Sequence, residues 1–378
     1  MDFSLGVEQE SFRSAARAIA RDSLLPACSG RTRIEPELRK EIGAAGLIGS
    51  ELPVELGGRG TDRVTTGLVV EEIGRGDVCV GYLQVVGSLV GQILAGNAPA
   101  LAARWVPRIC SGADVVGIGL TEPHAGSDAG MPRLTARRDG PDWVLDGVKS
   151  LSFATDAAAV VVFARTGPSQ ERGRDISAFL VPLDLPGVTR EPYPDLGTTA
   201  VGRGAVHLDG VRIPGDHLIG AEGGAFSQVM RGFDFSRALI GLQVLGSAEQ
   251  TVDETWEYVT RREAFDRPLS TNQGVAFPLA EAETVLDAAR LLCLRTLWLK
   301  DHDLPHTAEA AKCKWWAPKV AHDAITQCLL LHGQYGYRTD LPIARRLNDV
   351  LGLQIGDGTA QIMKLVIARN RVGRELAP

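Results

Sequence analysis

Hydrophobic and polar positions change their period twice along this 378-residue chain. From residue 1 to about 113, apolar side chains recur every three to four positions, as they do along one face of a helix. This spacing predicts helices at Val7–Asp22, Pro36–Leu47, Thr65–Arg75 and Gly81–Gly96. Between them, Glu51–Gly60 has the proline and glycines that are typical of a loop. The first part of the chain is therefore predicted to be helical.

The middle of the chain, from about 114 to 215, has the shorter period of β-strands. Turn-forming residues separate the apolar runs, among them Arg138–Pro141 and Leu208–Gly210. Short strands at this spacing predict a small β-barrel or sandwich. The predicted strands are Trp143–Leu145, Ala159–Ala164, Ile176–Val181, Ala205–Leu208 and Val211–Pro214.

Long helical patterns return after residue 220. Phe226–Arg261, Gln273–Asp301 and Thr307–Leu331 are each long enough for a bundle helix, and Ile362–Arg374 forms a last helix. Together they predict a C-terminal four-helix bundle. The expected fold class is α+β multidomain, with an N-terminal helical domain at 1–113, a middle β domain at 114–220 and the bundle at 221–378.

Composition and charge indicate which partners the protein binds and in which compartment it is found. The net charge of −6 and the pI near 5.7 argue against nucleic acid or an anionic membrane as the main partner. The N-terminus lacks the apolar core of a signal peptide, and we expect the apolar runs to be too short to cross a bilayer. The cysteines are scattered without a C-x-x-C pair, so we expect reduced thiols and a cytoplasmic protein. They are Cys28, Cys79, Cys110, Cys293, Cys313 and Cys328.

Several spaced motifs resemble those of one enzyme family. Gly117–Asp128, GIGLTEPHAGSD, resembles the flavin-and-thioester loop of the acyl-CoA dehydrogenases, G-x-x-L-T-E-P-x-A-G-S-D. Ile355–Thr359, IGDGT, stands where that family carries I-Y-E-G-T. Ala45–Gly60, Arg262–Gln273 and Gly333–Asp349 resemble further family motifs in the same order. Because the resemblance covers nearly the whole chain, the protein is identified as a member of the acyl-CoA dehydrogenase family.

The resemblance implies a reaction and its base. Family members oxidise an acyl thioester across its α and β carbons: a carboxylate removes an α-proton while a β-hydride passes to flavin N5. Asp357 stands at the position of the family's catalytic Glu and is the candidate base. Its side chain is shorter by about 1.5 Å, a displacement that must be offset elsewhere. The alternative is that Gly356–Thr359 is only a turn capping the last helix. Ser236, where some members carry the base, cannot serve.

The resemblance also implies which residues bind FAD. A guanidinium binds phosphate oxygens in pairs, so Arg262 suits the FAD diphosphate, although by itself it is equally well a solvated residue at a helix end. The implied FAD residues are Leu120 and Thr121 beside the flavin ring, Thr359 and Gln361 after the base, and Arg262, Phe265 and Gln273 reaching the FAD of a neighbouring subunit.

One segment departs from the family on the flavin side. The family carries W-I-T-N there, with the Trp over the flavin and the Thr donating to N5. This chain has Ser150–Ala154, and the segment is one residue shorter. If the gap falls before Ser152, that hydroxyl replaces the Thr; if it falls later, Phe153 occupies the place and the donor is lost. We favour Ser152.

Three residues match the family's contacts with the thioester arm. Ser127 corresponds to the pantetheine contact, and Asp234 with Arg237 matches the D-x-x-R that holds the arm. The alternative for the last two is an ordinary ion pair between residues three apart on a helix. His322 and His332 have no partner at metal-binding spacing, so no metal site is expected.

The predicted activity is FAD-dependent α,β-dehydrogenation of an acyl-CoA or acyl-carrier-protein thioester. The resemblance implies a homotetramer that passes electrons to an electron-transferring flavoprotein, and the departures favour an unusual acyl group. One alternative is a flavin oxidase or monooxygenase on the same fold, similar to nitroalkane oxidase, which also uses an Asp base. Another is a non-catalytic flavoprotein. The retained thioester-arm residues favour the dehydrogenase.

Overall fold

Helices form the N-terminal part of the structure. The computed structural model describes residues 4–169 and 171–378. The predicted helices are present, and a further one begins at Pro99, where a first-turn position needs no backbone N–H. The helices are α1 (Val7–Ile19), α2 (Pro36–Ala44), α3 (Arg63–Gly76), α4 (Val78–Asn97) and α5 (Pro99–Cys110).

The middle part is an eight-stranded sheet. Its order is β6-β7-β3-β2-β4-β5-β8, and β1 lies off this path, parallel to β4. Central strands such as β4 and β5 are buried almost throughout, as expected of strands covered on both faces. The strands are β1 (Val116–Gly119), β2 (Thr135–Asp139), β3 (Asp142–Leu151), β4 (Ala159–Arg165), β5 (Ile176–Pro182), β6 (Val188–Pro192), β7 (Gly204–Ile213) and β8 (Leu218–Ile219).

The Asp209–Gly210 pair is a bulge inside β7 and not the turn that we predicted. The predicted strands Ala205–Leu208 and Val211–Pro214 therefore belong to one continuous strand, and that prediction was wrong. Across the bulge, β7 has one residue more than its partner β3. Gly210 has a φ of 60°, and its N–H donates to Asp146 Oδ1 at 2.7 Å. A left-handed glycine held in this way bends a strand without reversing it.

Helices form the C-terminal part as well. Two of them, α7 and α8, begin and end at the predicted residues. A short helix, α9, was not predicted; Pro342 opens its first turn, where the missing backbone N–H is not needed. The elements are α6 (Ala225–Arg261), β9 (Glu263–Ala264), β10 (Arg267–Pro268), α7 (Gln273–Asp301), α8 (Thr307–Leu331), α9 (Pro342–Leu353) and α10 (Ala360–Val372).

Helix α4 joins the apolar cores of the molecule. Val80, Leu83 and Leu89 pack with the core shared by the N-terminal helices and the sheet, whereas Val78 and Val85 pack with the C-terminal helices. By length and a mean hydropathy of 1.7, α4 could cross a membrane, contrary to our expectation that no run is long enough. However, 83% of that stretch is buried inside the protein. Its apolar surface is thus used in packing between the two cores.

A charged cluster between α3, α6 and α7 gives a prediction for stability. Arg75 Nη1 donates to Glu249 Oε2 at 2.8 Å, and Arg290 pairs with the neighbouring Glu71. Burial and the Glu71 carboxylate raise the pKa of Glu249 to about 7. The folded state thus holds this proton more tightly than the unfolded state, so stability falls as the pH rises from the unfolded pKa through 7. Glu249→Gln stays neutral, and we expect its thermal midpoint to exceed that of wild type at pH 8.

The gain from Glu249→Gln should become small near pH 5 and vanish below the unfolded pKa, where the wild-type carboxyl is protonated in both states. At pH 8, the gain in the free energy of unfolding should be at most about 3 kcal/mol, because one pKa unit corresponds to about 1.4 kcal/mol. Glu257→Gln, which changes an exposed side chain on the same helix, should give no difference that depends on pH. Thermal midpoints from pH 5 to 8 check this, and a lower midpoint for Glu249→Gln at pH 8 contradicts it.

Candidate active site

Asp357 lies in the short segment that joins α9 to α10. Its φ is 55°, and the following Gly358 has a φ of 106°. This φ favours glycine directly after Asp357, and a Cβ there would also displace the end of the Met363 side chain, whose Cε would lie 2.5 Å away. The Ser236 hydroxyl on α6 donates to Asp357 Oδ2 at 3.4 Å. Ser236 carries no carboxylate and cannot be the base, but its hydroxyl is in contact with the candidate base.

The electrostatic surroundings of Asp357 suit a base. The residue is half-buried and surrounded by protein. Burial raises the pKa of Asp357, while the Lys314 and Arg237 charges and the Ser236 hydroxyl oppose that rise. A carboxylate whose pKa is raised takes up a proton more readily than one in water. This arrangement offers proton abstraction from a group placed beside it.

Asp234 and Arg237 form the ion pair that their spacing on α6 allows. Arg237 Nη1 donates to Asp234 Oδ1 at 2.9 Å, and both side chains are about nine-tenths buried. Thr307 on α8 donates to Asp234 Oδ2 at 2.6 Å, and Arg237 Nε donates to the carbonyl of Asp357 at 3.5 Å. Because both side chains are buried, the pair is not a solvated surface contact. It links α6 and α8 to the segment that carries Asp357.

A buried ion pair holds the loop that follows β1. Lys149 Nζ donates to Glu122 Oε1 at 2.7 Å and to the carbonyl of Leu120 at 3.1 Å. Glu122 also accepts the backbone N–H groups of Arg133 and Leu134. Burial opposes ionisation of Glu122, but the Lys149 charge and these donors together lower its pKa. Lys149 thus fastens the start of the loop on which Thr121 and Ser127 lie, and Glu122 fastens its far end. The side chains of Thr121 and Ser127 are both exposed.

The end of β3 distinguishes Ser152 from Phe153. The Ser150 N–H donates to the carbonyl of Thr121 at 2.9 Å, which places the loop after β1 beside this end of β3. Phe153 has a φ of 61° and is 2% exposed, packed in the core. Ser152 is half-buried. The partly buried Leu120 packs against the same core. Of the two candidates, Ser152 has the side chain that a cofactor at this edge can reach, which supports our preference.

The residues predicted to reach a neighbouring subunit lie together on a protruding element. Arg262 follows the end of α6, and the β9–β10 hairpin presents Phe265 at its tip, 94% exposed. Gln273, also exposed, opens α7 directly after this hairpin. In the described part of the chain, no hydrogen bond joins these side chains to those around Asp357. Within one chain, these three residues are therefore separate from the group around Asp357.

The remaining predicted cofactor residues flank the start of α10. Thr359 is the N-cap of this helix, and its hydroxyl accepts the N–H of Ile362 at 3.4 Å. Gln361 is exposed. The capping turn that we considered as the alternative is thus formed by Thr359, while the Asp357 side chain turns toward Ser236. The two interpretations apply to different residues of the same segment.

One buried cluster carries side chains of metal-binding type. Ligand atoms of Asp77, Cys79 and Asp349 lie within 4.8 Å of one another. Arg31 Nε donates to Asp77 at 2.9 Å, and Arg345 Nε donates to Asp349 at 3.4 Å. Two guanidinium groups already compensate the two carboxylates, as buried charges require. We therefore interpret this cluster as an ion-pair network between α4 and α9.

Comparison with known proteins identifies the family. The acyl-CoA dehydrogenase N-terminal, middle and C-terminal domains match residues 7–113, 117–211 and 223–371. The mitochondrial short-chain specific acyl-CoA dehydrogenase of Bos taurus is 36% identical over 369 residues, which cover 95% of this chain and 89% of that protein. The chain belongs to the acyl-CoA dehydrogenase family. It is an enzyme of this family, whose members depend on FAD.

Solved structures show the same fold. Butyryl-CoA dehydrogenase from Megasphaera elsdenii superposes with a TM-score of 0.94 at 27% identity, covering 98% of this chain and 100% of that one. A glutaryl-CoA dehydrogenase from Mycobacterium smegmatis, in complex with FADH2, gives a TM-score of 0.92 at 27% identity and covers 98% and 96%. The predicted order of helical domain, sheet domain and helical domain is confirmed.

The residues present fit an FAD molecule. Flavin and adenine rings need apolar surface and hydroxyl donors, and a diphosphate needs cations or free backbone N–H groups. At the end of β3, Ser152 and Thr121 offer hydroxyls beside Leu120. On the protruding element, the guanidinium of Arg262 and the ring of Phe265 are exposed next to the start of α7. These donor types match the two halves of the cofactor.

Sequence reasoning missed three residues of the site. Thr307 holds the Asp234 carboxylate and Lys149 holds the loop after β1, through contacts that no local motif encodes. Lys314 has no exposed surface and lies close to Asp357. A signal for Lys314 was available: it falls on the apolar stripe of α8, three to four positions from Ala310 and Ala317, where a charge is unusual. A lysine at such a position predicts a buried partner.

Proposed function

We propose that this enzyme catalyses α,β-dehydrogenation of an acyl thioester and that Asp357 is its base. The observation that carries the proposal is the placement of a half-buried carboxylate between Ser236, Arg237 and Lys314. Its raised pKa favours proton uptake, and it stands where family members carry their catalytic acid. The family relationship supports the same class of reaction.

The chain's own residues would divide the work as follows. The α-carbon loses its proton to Asp357 Oδ2, and the C–H electron pair forms the new double bond as the β-hydride departs. FAD, when bound, supplies the acceptor for that hydride. The buried Asp234–Arg237 pair and the exposed Ser127 would orient the thioester arm. Leu120, Thr121, Ser152, Thr359 and Gln361 would line the flavin half of the cofactor.

The shorter base supports a particular acyl group. An aspartate withdraws the carboxylate by about 1.5 Å, and its positive φ places it on a distorted backbone. We infer that the substrate approaches more deeply than a straight-chain acyl-CoA does, either as a cyclic or branched acyl-CoA or as an acyl-carrier-protein thioester. Equal turnover of straight-chain and branched acyl-CoA would contradict this inference.

Exposed apolar side chains support assembly into a homotetramer. Phe265, Phe277 and Trp298 are exposed along the β9–β10 hairpin and α7, and Tyr337 is 86% exposed after α8. Apolar surface of this kind marks protein–protein contacts. Arg262, Phe265 and Gln273 would then meet the FAD of a neighbouring subunit, with an electron-transferring flavoprotein as electron acceptor. The cytoplasmic location and the domain limits 1–113, 114–220 and 221–378 stay predictions.

Anaerobic titration of the FAD-loaded enzyme tests the function. We expect one class of acyl thioester, drawn from straight, branched and cyclic acyl-CoA and their carrier-protein counterparts, to bleach the flavin absorption. Reduced enzyme should then be oxidised only slowly by air. If no thioester bleaches the flavin, the dehydrogenase proposal is wrong, and fast reoxidation by oxygen favours the flavin oxidase instead.

A further inference from the structure

Lys314 is a buried cation that contacts the segment carrying Asp357 at two points. Its side chain has no exposed surface. Nζ donates to the carbonyl of Leu353 at 2.6 Å and to the carbonyl of Gly358 at 3.3 Å. Leu353 is the last residue of α9, and Gly358 directly follows Asp357. One ammonium group on α8 therefore holds both ends of the segment that presents the base.

This segment has little other support near the base. Its backbone is left-handed at both Asp357 and Gly358, a conformation that costs energy for any residue with a side chain. Near its start, the N–H groups of Ile355 and Gly356 return to the carbonyl of Gly352. Beyond that point, the carbonyl of Asp357 accepts a long bond from Arg237 and that of Gly358 accepts from Lys314. Side chains of α6 and α8 thus donate to these carbonyls, as backbone N–H groups do in regular secondary structure.

Charged and titratable groups surround Asp357 from several elements. Lys314 approaches from α8, Arg237 with its partner Asp234 from α6, and the Tyr82 phenol from α4. Burial lowers the pKa of Lys314 to about 8, while the Asp357 carboxylate opposes this change. The lysine is therefore charged at neutral pH, and its partner in charge is the base.

We propose that Lys314 is the positioning residue of the base: its ammonium fixes the ends of the 353–358 segment and its charge stabilises the Asp357 carboxylate. This inference rests on the proposed role of Asp357 in the reaction. Lys314 is fully buried behind the segment and acts through Asp357. It ties the protonation of the base to that of a second group on a neighbouring helix.

The rate of anaerobic flavin reduction against pH tests the charge. In Lys314→Met, the pH below which the rate falls should move up by about one unit, because an opposite charge lowers a carboxyl pKa by roughly one to three units. Lys314→Arg keeps the charge and should keep the wild-type value, even if the rate itself is lower. Lys312→Met removes a partly exposed lysine two residues away and should leave the profile unchanged. A uniform fall in rate with an unmoved profile overturns the proposal.

A double-mutant cycle tests the electrostatic interaction between Lys314 and Asp357 without any substrate. Thermal midpoints of Lys314→Met, Asp357→Asn and the double variant are compared with that of wild type at pH 7. We expect the double variant to lose less than the sum of the single losses, because each single change leaves one buried charge unpaired. Additive losses overturn the proposal. Since this measurement needs no turnover, it separates failure of this inference from failure of the proposed function.

The Asp357→Asn variant supplies the answer if Lys314→Met does not accumulate as folded protein. Removal of the carboxylate leaves the lysine unpaired, which costs stability only while the lysine is charged. The loss in thermal midpoint relative to wild type should therefore be larger at pH 6.5 than at pH 9.5, since the folded-state pKa of Lys314 is about 8. Equal losses at both pH values overturn the proposal.

Discussion

Replacing Asp357 with asparagine should slow flavin reduction by a thioester roughly 10²- to 10⁴-fold, the range typical of a lost general base. Asparagine has nearly the shape of aspartate and can still accept the hydrogen bond from Ser236. It cannot take up a proton, so the barrier for removing the α-proton rises while the site keeps its form. Stopped-flow mixing with the best substrate under anaerobic conditions measures this rate directly.

Two further variants help us to interpret the result for Asp357→Asn. Asp340→Asn removes a carboxylate that is 60% exposed in the turn before α9, and it should reduce flavin at the wild-type rate. Asp357→Glu restores the acid of the family's motif and should shift preference toward straight-chain acyl-CoA, because the carboxylate advances by about one C–C bond. Asp357→Asn with the wild-type rate would place the base on another residue and end the proposal.

The elements that the sequence predicted best are those with long and regular apolar spacing. Helices α7 and α8 begin and end where the pattern says, because each keeps one apolar stripe over many turns. The helices α5 and α9 were missed, and both open with a proline. Proline breaks a helix from inside but suits its first turn, and a single sequence does not distinguish these positions. The bulge in β7 was not predicted for a related reason, since Asp-Gly favours both turns and bulges.

The candidate site was predictable wherever its chemistry lies within one motif. Asp357 and the pair Asp234 and Arg237 follow from their match to motifs of the acyl-CoA dehydrogenase family, and the structure places them in contact through Arg237. The side chains that hold them could not be found in that way, because Lys314 and Thr307 reach the site from α8. Such contacts depend on how helices pack across the bundle, which local pattern does not encode.

Replacing Lys149 with methionine should lower the thermal midpoint by about 5 °C and weaken FAD retention. Lys149 and Glu122 are 1% and 3% exposed, so the change leaves a carboxylate buried without its partner. Breaking such a pair costs about 3–5 kcal/mol, and in a chain of this length that corresponds to roughly 5 °C. The start of the loop bearing Thr121 loses both hydrogen bonds from Lys149 at the same time. Thermal shift and flavin release on gel filtration measure both effects.

The second change Glu122→Gln, combined with Lys149→Met, should recover part of the lost stability, because it removes the uncompensated charge. Lys319→Met breaks a pair on the surface of α8 and should cost at most about 1 kcal/mol. If Lys149→Met matches Lys319→Met in both stability and FAD retention, the buried pair does not anchor the loop. If only FAD retention falls, the pair orders the loop without stabilising the fold. The structure favours the combined loss, since the carboxylate of Glu122 also holds the backbone of Arg133 and Leu134.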